Sequence, residues 1–321
     1  MKLLSRRARA PTSPPAHSPP AHPAVRPPEL PAHLLRRLEF KVVRRLDGFL
    51  FGDYRGLFYG PSLDLAEVRE YQPGDEVRRM DWNVTARTGK LHVRQYREER
   101  ELTAWLLLDT SPSMNFGTRR LLKRDLAREF AAIAALVISR HGDKVGAMTF
   151  GGGSGMAPPR GGRAAALAVL NVLAEQRGEK NTPTDLETAL TSVERTLRRR
   201  SLVFVVSDFL ELASVGGWAG ALGRLSRRHD VVAVRVSDPA ERALPDLGGL
   251  RLRDPETGEE LWLDTSDSRV RASHARLVGE RDRALKLALS AARVDLLDLS
   301  TGQDVVGPLL RFAAARRGRR A

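Results

Sequence analysis

The chain has no cysteine, which excludes disulfides, Cys-ligated zinc and thiol catalysis. Long apolar runs are also missing. The longest, Ala131–Ile138 and Trp105–Leu108, fall far short of the roughly 20 residues a membrane-spanning helix needs, so no membrane span is expected. The start, MKLLSRRARAPTSPP, carries basic residues without an apolar segment. It does not read as a secretory signal, and the expected location is cytoplasmic. Aromatic residues are only 6% of the chain and do not interleave with the basic runs, which leaves no stacking platform for nucleic acid.

What is abundant is positive charge, 53 basic against 39 acidic residues for a net +14, with only seven lysines among the basic ones. Such an excess attracts anionic partners without choosing among them, and a general arginine bias explains it equally well. The hydrophobic share of 42% over 321 residues is enough for a sizeable core.

Nine of the nineteen prolines fall within the first 31 residues, where no apolar periodicity occurs, so residues 1–31 read as a disordered arm. Residues 32–101 hold alternating segments such as Leu91–Tyr96 and a turn at Pro73–Glu76, and are expected to form a small β-rich element packed on the rest. From 102 to 315 short apolar runs alternate with helical patterns: Leu102–Leu108, Lys144–Phe150, Ser201–Ser207, Asp230–Val236 and Val294–Leu299 read as strands. Between them lie amphipathic helices, and Leu250–Arg253 with Glu260–Leu263 reads as a two-strand insertion. The fold class is therefore α/β, a doubly wound, mostly parallel sheet. Residues 316–321, with Arg316, Arg317, Arg319 and Arg320, read as a solvated basic tail.

In such a sheet ligands bind beyond the carboxyl ends of the strands, and there the chemistry gathers. The first strand runs into Asp109-Thr110-Ser111-Pro112-Ser113, whose spacing of two lets three oxygen-bearing side chains converge. Asp208 ends another strand, and Thr184 precedes the helix starting Asp185-Leu186. Two carboxylates and three hydroxyls suit Mg²⁺ or Mn²⁺ better than Ca²⁺, which takes more oxygens. A cation so held keeps net positive charge and invites a further anion, such as a Glu or Asp carboxylate of a partner protein.

The Asp109-x-Ser111-x-Ser113 loop with Thr184 and Asp208 resembles the metal-ion-dependent adhesion site of von Willebrand factor type A domains. Upstream, Arg69-Glu70-Tyr71-Gln72-Pro73-Gly74-Asp75, Arg78-Arg79-Met80-Asp81-Trp82, Ala86-Arg87-Thr88-Gly89-Lys90-Leu91 and Glu98-Glu99-Arg100 resemble the bacterial family called domain of unknown function 58. The resemblance implies a von Willebrand factor A-like fold and a metal-dependent protein-binding role. It also implies work beside a MoxR-type AAA+ ATPase in chaperone-like maturation of other proteins. By position, Ser111, Ser113 and Thr184 would offer hydroxyls to the metal, and Asp109 and Asp208 would bind it directly or through water. Thr182 rivals Thr184.

Plainer readings exist for each group. Asp109, Ser111 and Ser113 also suit a turn and helix cap, and Thr184 with Glu187 suits a capping box. The run Gly151-Gly152-Gly153-Ser154-Gly155 fails the G-x-G-x-x-G template because Met156 stands where the last glycine belongs; it reads as a flexible surface loop. His92, His141, His229 and His274 have no companions at metal-ligand spacing, and Trp82 reads as a packing anchor. No nucleophile and base set is visible, so the chain is not expected to be an enzyme. The alternatives are a metal-dependent hydrolase and nucleic-acid binding through the arginine-rich ends.

Overall fold

The structure, a computed structural model, describes residues 31–38, 67–73, 75, 77, 80–95, 102–140, 142–175, 185–210 and 215–318. The first described element is a helix over 31–38 (α1), where a β-rich element was expected. Leu34, Leu35 and Leu38 recur on one face, and all three are buried in the main hydrophobic core. Arg37 holds the helix down by donating to Glu129 at 3.1 Å. Strands Glu67–Glu70 (β1) and His92–Gln95 (β2) pair antiparallel, with Val68 opposite Arg94. Between them Trp82–Thr88 (α2) starts on Asp81, whose carboxylate accepts from the N–H groups of Asn83 and Val84. The helix stops at Gly89, whose φ of 72° suits glycine. Trp82, expected as a packing anchor, is 63% exposed, while its neighbour Asp81 is buried. The cap, not the indole, anchors this turn. Arg69 closes the turn after β1 with a two-pronged bond to Asp75 at 2.8 and 2.6 Å.

The continuous apolar runs become strands buried on both faces, as parallel strands between helix layers must be. Thr103–Asp109 (β3) leads through a short 3₁₀ turn into Lys123–Arg140 (α3). Lys144–Phe150 (β4), Met156–Arg160 (β5), Gly162–Glu175 (α4), Leu186–Thr196 (α5) and Leu202–Ser207 (β6) follow. Val215–Arg228 (α6), Asp230–Ser237 (β7) and the short Pro239–Arg242 (α7) precede a hairpin of Gly249–Arg253 (β8) and Glu260–Asp264 (β9). Ser268–Ala291 (α8), Asp295–Ser300 (β10) and Val306–Gly318 (α9) complete the chain.

The six-stranded sheet runs β10-β7-β6-β3-β4-β5, and only β5 is antiparallel to its neighbour. Side chains on β3 alternate between faces. Ala104, Leu106 and Leu108 enter the core shared with α1, α3, α4 and α9. Trp105 and Leu107 enter the opposite core, formed with α5, α6 and α8. The expected doubly wound, mostly parallel α/β sheet is thus present. β5 escapes the pattern because Pro158 and Pro159 lie within it, which is tolerated only where one side of the strand has no partner.

Chain order along the sheet reverses between β3 and β6, so the crevice at the switch point lies beyond Asp109 and Ser207. At the far end, Arg316 departs from the solvated tail expected of it. It is 2% exposed and ties α9 to the sheet through Asp230 and, at 2.8 Å, Asp295. Residues 1–30 and 319–321 lie outside the described residues. Among the described residues no helix is long and apolar enough to cross a membrane.

Candidate functional site

Asp109 is the last residue of β3, and the chain turns at once into a 3₁₀ helix, Pro112–Asn115, with proline where a missing N–H does no harm. Asp109 Oδ1 accepts the N–H of Ser111 at 2.9 Å, which closes the turn. Ser111 begins the 3₁₀ helix but makes no side-chain cap bond. Its hydroxyl instead meets that of Ser113 at 3.0 Å, and Ser113 donates to Asp208 Oδ2 at 2.8 Å across the switch point. Because the Ser113 proton goes to Asp208, Ser111 is the donor between the two serines. Asp109, Ser111, Ser113 and Asp208 are all buried.

The turn after β6 carries the strain. Phe209 has φ 52°, uncommon for a bulky residue, and backbone cost of this kind gathers at functional turns. The bond from the Leu210 N–H to Asp208 Oδ1 at 3.1 Å fixes the carboxylate on the far side of the turn.

Two residues that the sequence reading missed complete the cluster. Ser207 donates to Asp109 Oδ2 at 2.6 Å and accepts the Phe209 N–H at 3.1 Å, stitching the two strand ends together. Lys123, fully buried at the start of α3, donates to Asp208 Oδ2 at 2.7 Å and to Glu241 Oε1 at 2.5 Å. The signal for it was present. A cation in the first turn of a helix opposes the helix dipole and calls for a carboxylate partner.

The glycine run is not the flexible surface loop expected of it. Gly152 is buried, and a Cβ there would stand 2.1 Å from the Thr110 carbonyl oxygen. Gly151, at φ 81°, brings its backbone so close that a Cβ would meet Asp109 Oδ1 at 3.0 Å. The run is the wall behind the Asp109 turn.

Thr182 and Thr184 lie outside the described residues. The cap of α5 is Asp185, which accepts the Thr188 N–H at 2.9 Å, one residue after the position read as a cap in the sequence. His229 lies at the amino end of β7, the opposite edge of the sheet from the site. Its imidazole is held below the usual range by burial and by the charge of Arg228, and its Nδ1 accepts the Ser201 N–H.

Burial and then the neighbouring charge of Asp208 push the Asp109 carboxyl up to about 7, against the hydrogen bonds from Ser111 and Ser207. Burial pulls the Lys123 ammonium down, but Asp208 and Glu241 outweigh it and leave its pKa above the ordinary lysine value. A folded-state carboxyl above its unfolded value of 3.8 stabilises most below that value, and the contribution is lost as pH rises towards about 7. In chelator, stability of the wild-type chain relative to Asp109→Asn is therefore expected to decline between pH 4 and pH 7, which urea unfolding across that range checks; a flat difference contradicts it.

Among the described residues no three His, Cys, Asp or Glu side chains gather as a metal-ligand group. The described residues that could hold a hard cation are Ser111, Ser113 and Asp208, with Asp109 behind them. Their chemistry fits one: the donors are all oxygens with few carboxylates among them, and Asp109, raised by its burial and then by the charge of Asp208, stands behind them.

The sequence pattern of the family described as Protein of unknown function DUF58 matches residues 67–284. Uncharacterized proteins of Mycobacterium bovis and Mycobacterium tuberculosis are each 38% identical over 276 residues, covering 85% of this chain and 85% of theirs. Among solved structures, the conserved hypothetical protein BatB from Bacteroides thetaiotaomicron aligns at TM-score 0.42 and 16% identity, over 68% of this chain and 99% of that one. The SpRpn10 VWA domain aligns at TM-score 0.38 and 10% identity, over 66% of this chain and 94% of that domain.

Proposed function

Because the chain belongs to the family described as Protein of unknown function DUF58, whose description assigns no activity, we propose its function from the site itself. The protein is a non-enzymatic binding module that captures a Glu or Asp side chain of a partner protein through Mg²⁺ or Mn²⁺. When bound, the cation supplies a coordination position for the foreign carboxylate. Ser111 and Ser113 offer hydroxyl oxygens, with Thr184 or Thr182 as a further donor, and Asp109 and Asp208 bind directly or through water.

The observation that carries this reading is the meeting of Ser111, Ser113 and Asp208 at the switch point, from stretches 95 residues apart. Ser113 gives its proton to Asp208 and so keeps a lone pair for a cation. Asp109 serves from behind, orienting Ser111 through its N–H and Ser207 through its hydroxyl. Few carboxylates mean that the cation keeps positive charge for the partner's acid. The partner implied by the family resemblance is a MoxR-type AAA+ ATPase, served in chaperone-like maturation.

The test is capture of the MoxR-type ATPase from the same genome by the immobilised full chain, in millimolar magnesium and in EDTA. Capture is expected to fall by at least about tenfold, or 1.4 kcal/mol, in EDTA and equally in Ser113→Ala. Capture that survives both unchanged contradicts the reading.

A further inference from the structure

The site already contains a positive charge. Lys123 is fully buried, with its ammonium shared between Asp208 Oδ2 and Glu241 Oε1. Asp208 Oδ2 thereby accepts from both Ser113 and Lys123, and Oδ1 accepts from Leu210. The carboxylate that faces the two serines is thus satisfied by groups of this chain. Glu241 is equally fixed: its other oxygen accepts the Asp238 N–H at 2.9 Å, and Asp238 in turn accepts from Thr118 and Thr301. Lys123 therefore sits between two anchored carboxylates, Asp208 at the end of β6, in the candidate site, and Glu241 on α7 after β7, outside it.

We propose that Lys123 is a tethered cation that balances Asp208 in the metal-free site and sets how tightly the site takes a divalent ion, with Glu241 as its second seat. The inference rests on the metal-binding reading above. A like charge in contact with Asp208 opposes an incoming cation, and the opposition is strong where water is excluded. Glu241 relieves it by drawing the ammonium away from Asp208. The arrangement makes resting affinity modest and adjustable by anything that moves α7, which carries Glu241.

Two variants follow with effects of opposite sign. Glu241→Gln removes the negative charge of the second seat, so Lys123 stays with Asp208 and affinity falls. Lys123→Met combined with Glu241→Gln removes the ammonium without leaving Glu241 charged and unpaired, so affinity rises. A lysine that only braced the fold would move both in the same direction. The experiment titrates Mn²⁺ alone into the full-length wild-type chain and both variants, following free Mn²⁺ by electron paramagnetic resonance, after thermal melts in chelator show which proteins are folded. Expected are a loss and a gain of about tenfold each, corresponding to roughly 1.4 kcal/mol either way. If Glu241→Gln does not fold, the gain in the double variant over wild type decides alone. Equal affinities, or shifts of one sign, overturn the role of Lys123 while leaving the metal reading intact. No Mn²⁺ binding by any of the folded proteins removes the metal reading and this inference with it.

Discussion

Lys123→Ala is expected to cost the metal-free chain about 3–5 kcal/mol of unfolding free energy, because removing one member of a buried ion cluster strands the others. Asp208 and Glu241 both depend on the ammonium, and Asp208 is buried as well. Cavity formation at the start of α3 adds to the loss. The comparison is Arg251→Ala, which breaks an exposed pair with Glu260 on the hairpin and is expected to change stability by less than about 1 kcal/mol. Urea denaturation in EDTA measures both. A loss below about 1 kcal/mol for Lys123→Ala would mean that the cluster relaxes freely and is not held as described.

Gly152→Ala carries the second large expectation, a loss of roughly 3 kcal/mol, at the upper end of overpacking costs. The added Cβ collides with the carbonyl of Thr110, and that segment cannot easily give way. Thr110 is tied twice to the Phe150 carbonyl, by its N–H and by its hydroxyl, each at 2.9 Å. Relief has to come from the turn that carries Asp109 and Ser111, so Mn²⁺ affinity is expected to fall along with stability. Ser154→Ala, exposed in the same loop, is expected to stay within about 0.5 kcal/mol of wild type. Equal melting of the two variants would contradict the close approach.

The sheet was legible in the sequence because its strands are buried on both faces, and continuous apolar runs such as Leu202–Val206 have no other easy reading. The site's first loop was legible for the same reason, since a strand that ends in Asp-x-Ser-x-Ser announces where its oxygens go. β5 was not, because Met156–Arg160 contains two prolines and only its place at the edge makes it a strand. Ser207 was not either, and Lys123 was legible only as a cation in a first helix turn that calls for some carboxylate, not as the partner of Asp208 and Glu241. Their meaning lies in partners 85, 118 and 98 residues away along the chain, and no local spacing records such contacts. The glycine run failed its phosphate-binding template, and its actual role, a close approach of two backbones, is visible only once β3 and β4 lie side by side. Arg316 was misread because a basic run near a terminus looks the same whether it is solvated or paired with Asp230 and Asp295.

The proposed function requires oxygens from the Asp109 turn and from the end of β6 to enclose a divalent cation. The most direct measurement is anomalous diffraction at the manganese edge from crystals of the full chain grown in millimolar Mn²⁺, with chelator-soaked crystals as reference. One anomalous peak bounded by Ser111, Ser113 and Asp208, lost in chelator, is expected. An ordered, peak-free site with the Ser113 to Asp208 bond and the Lys123 contact unchanged in both crystals would contradict it.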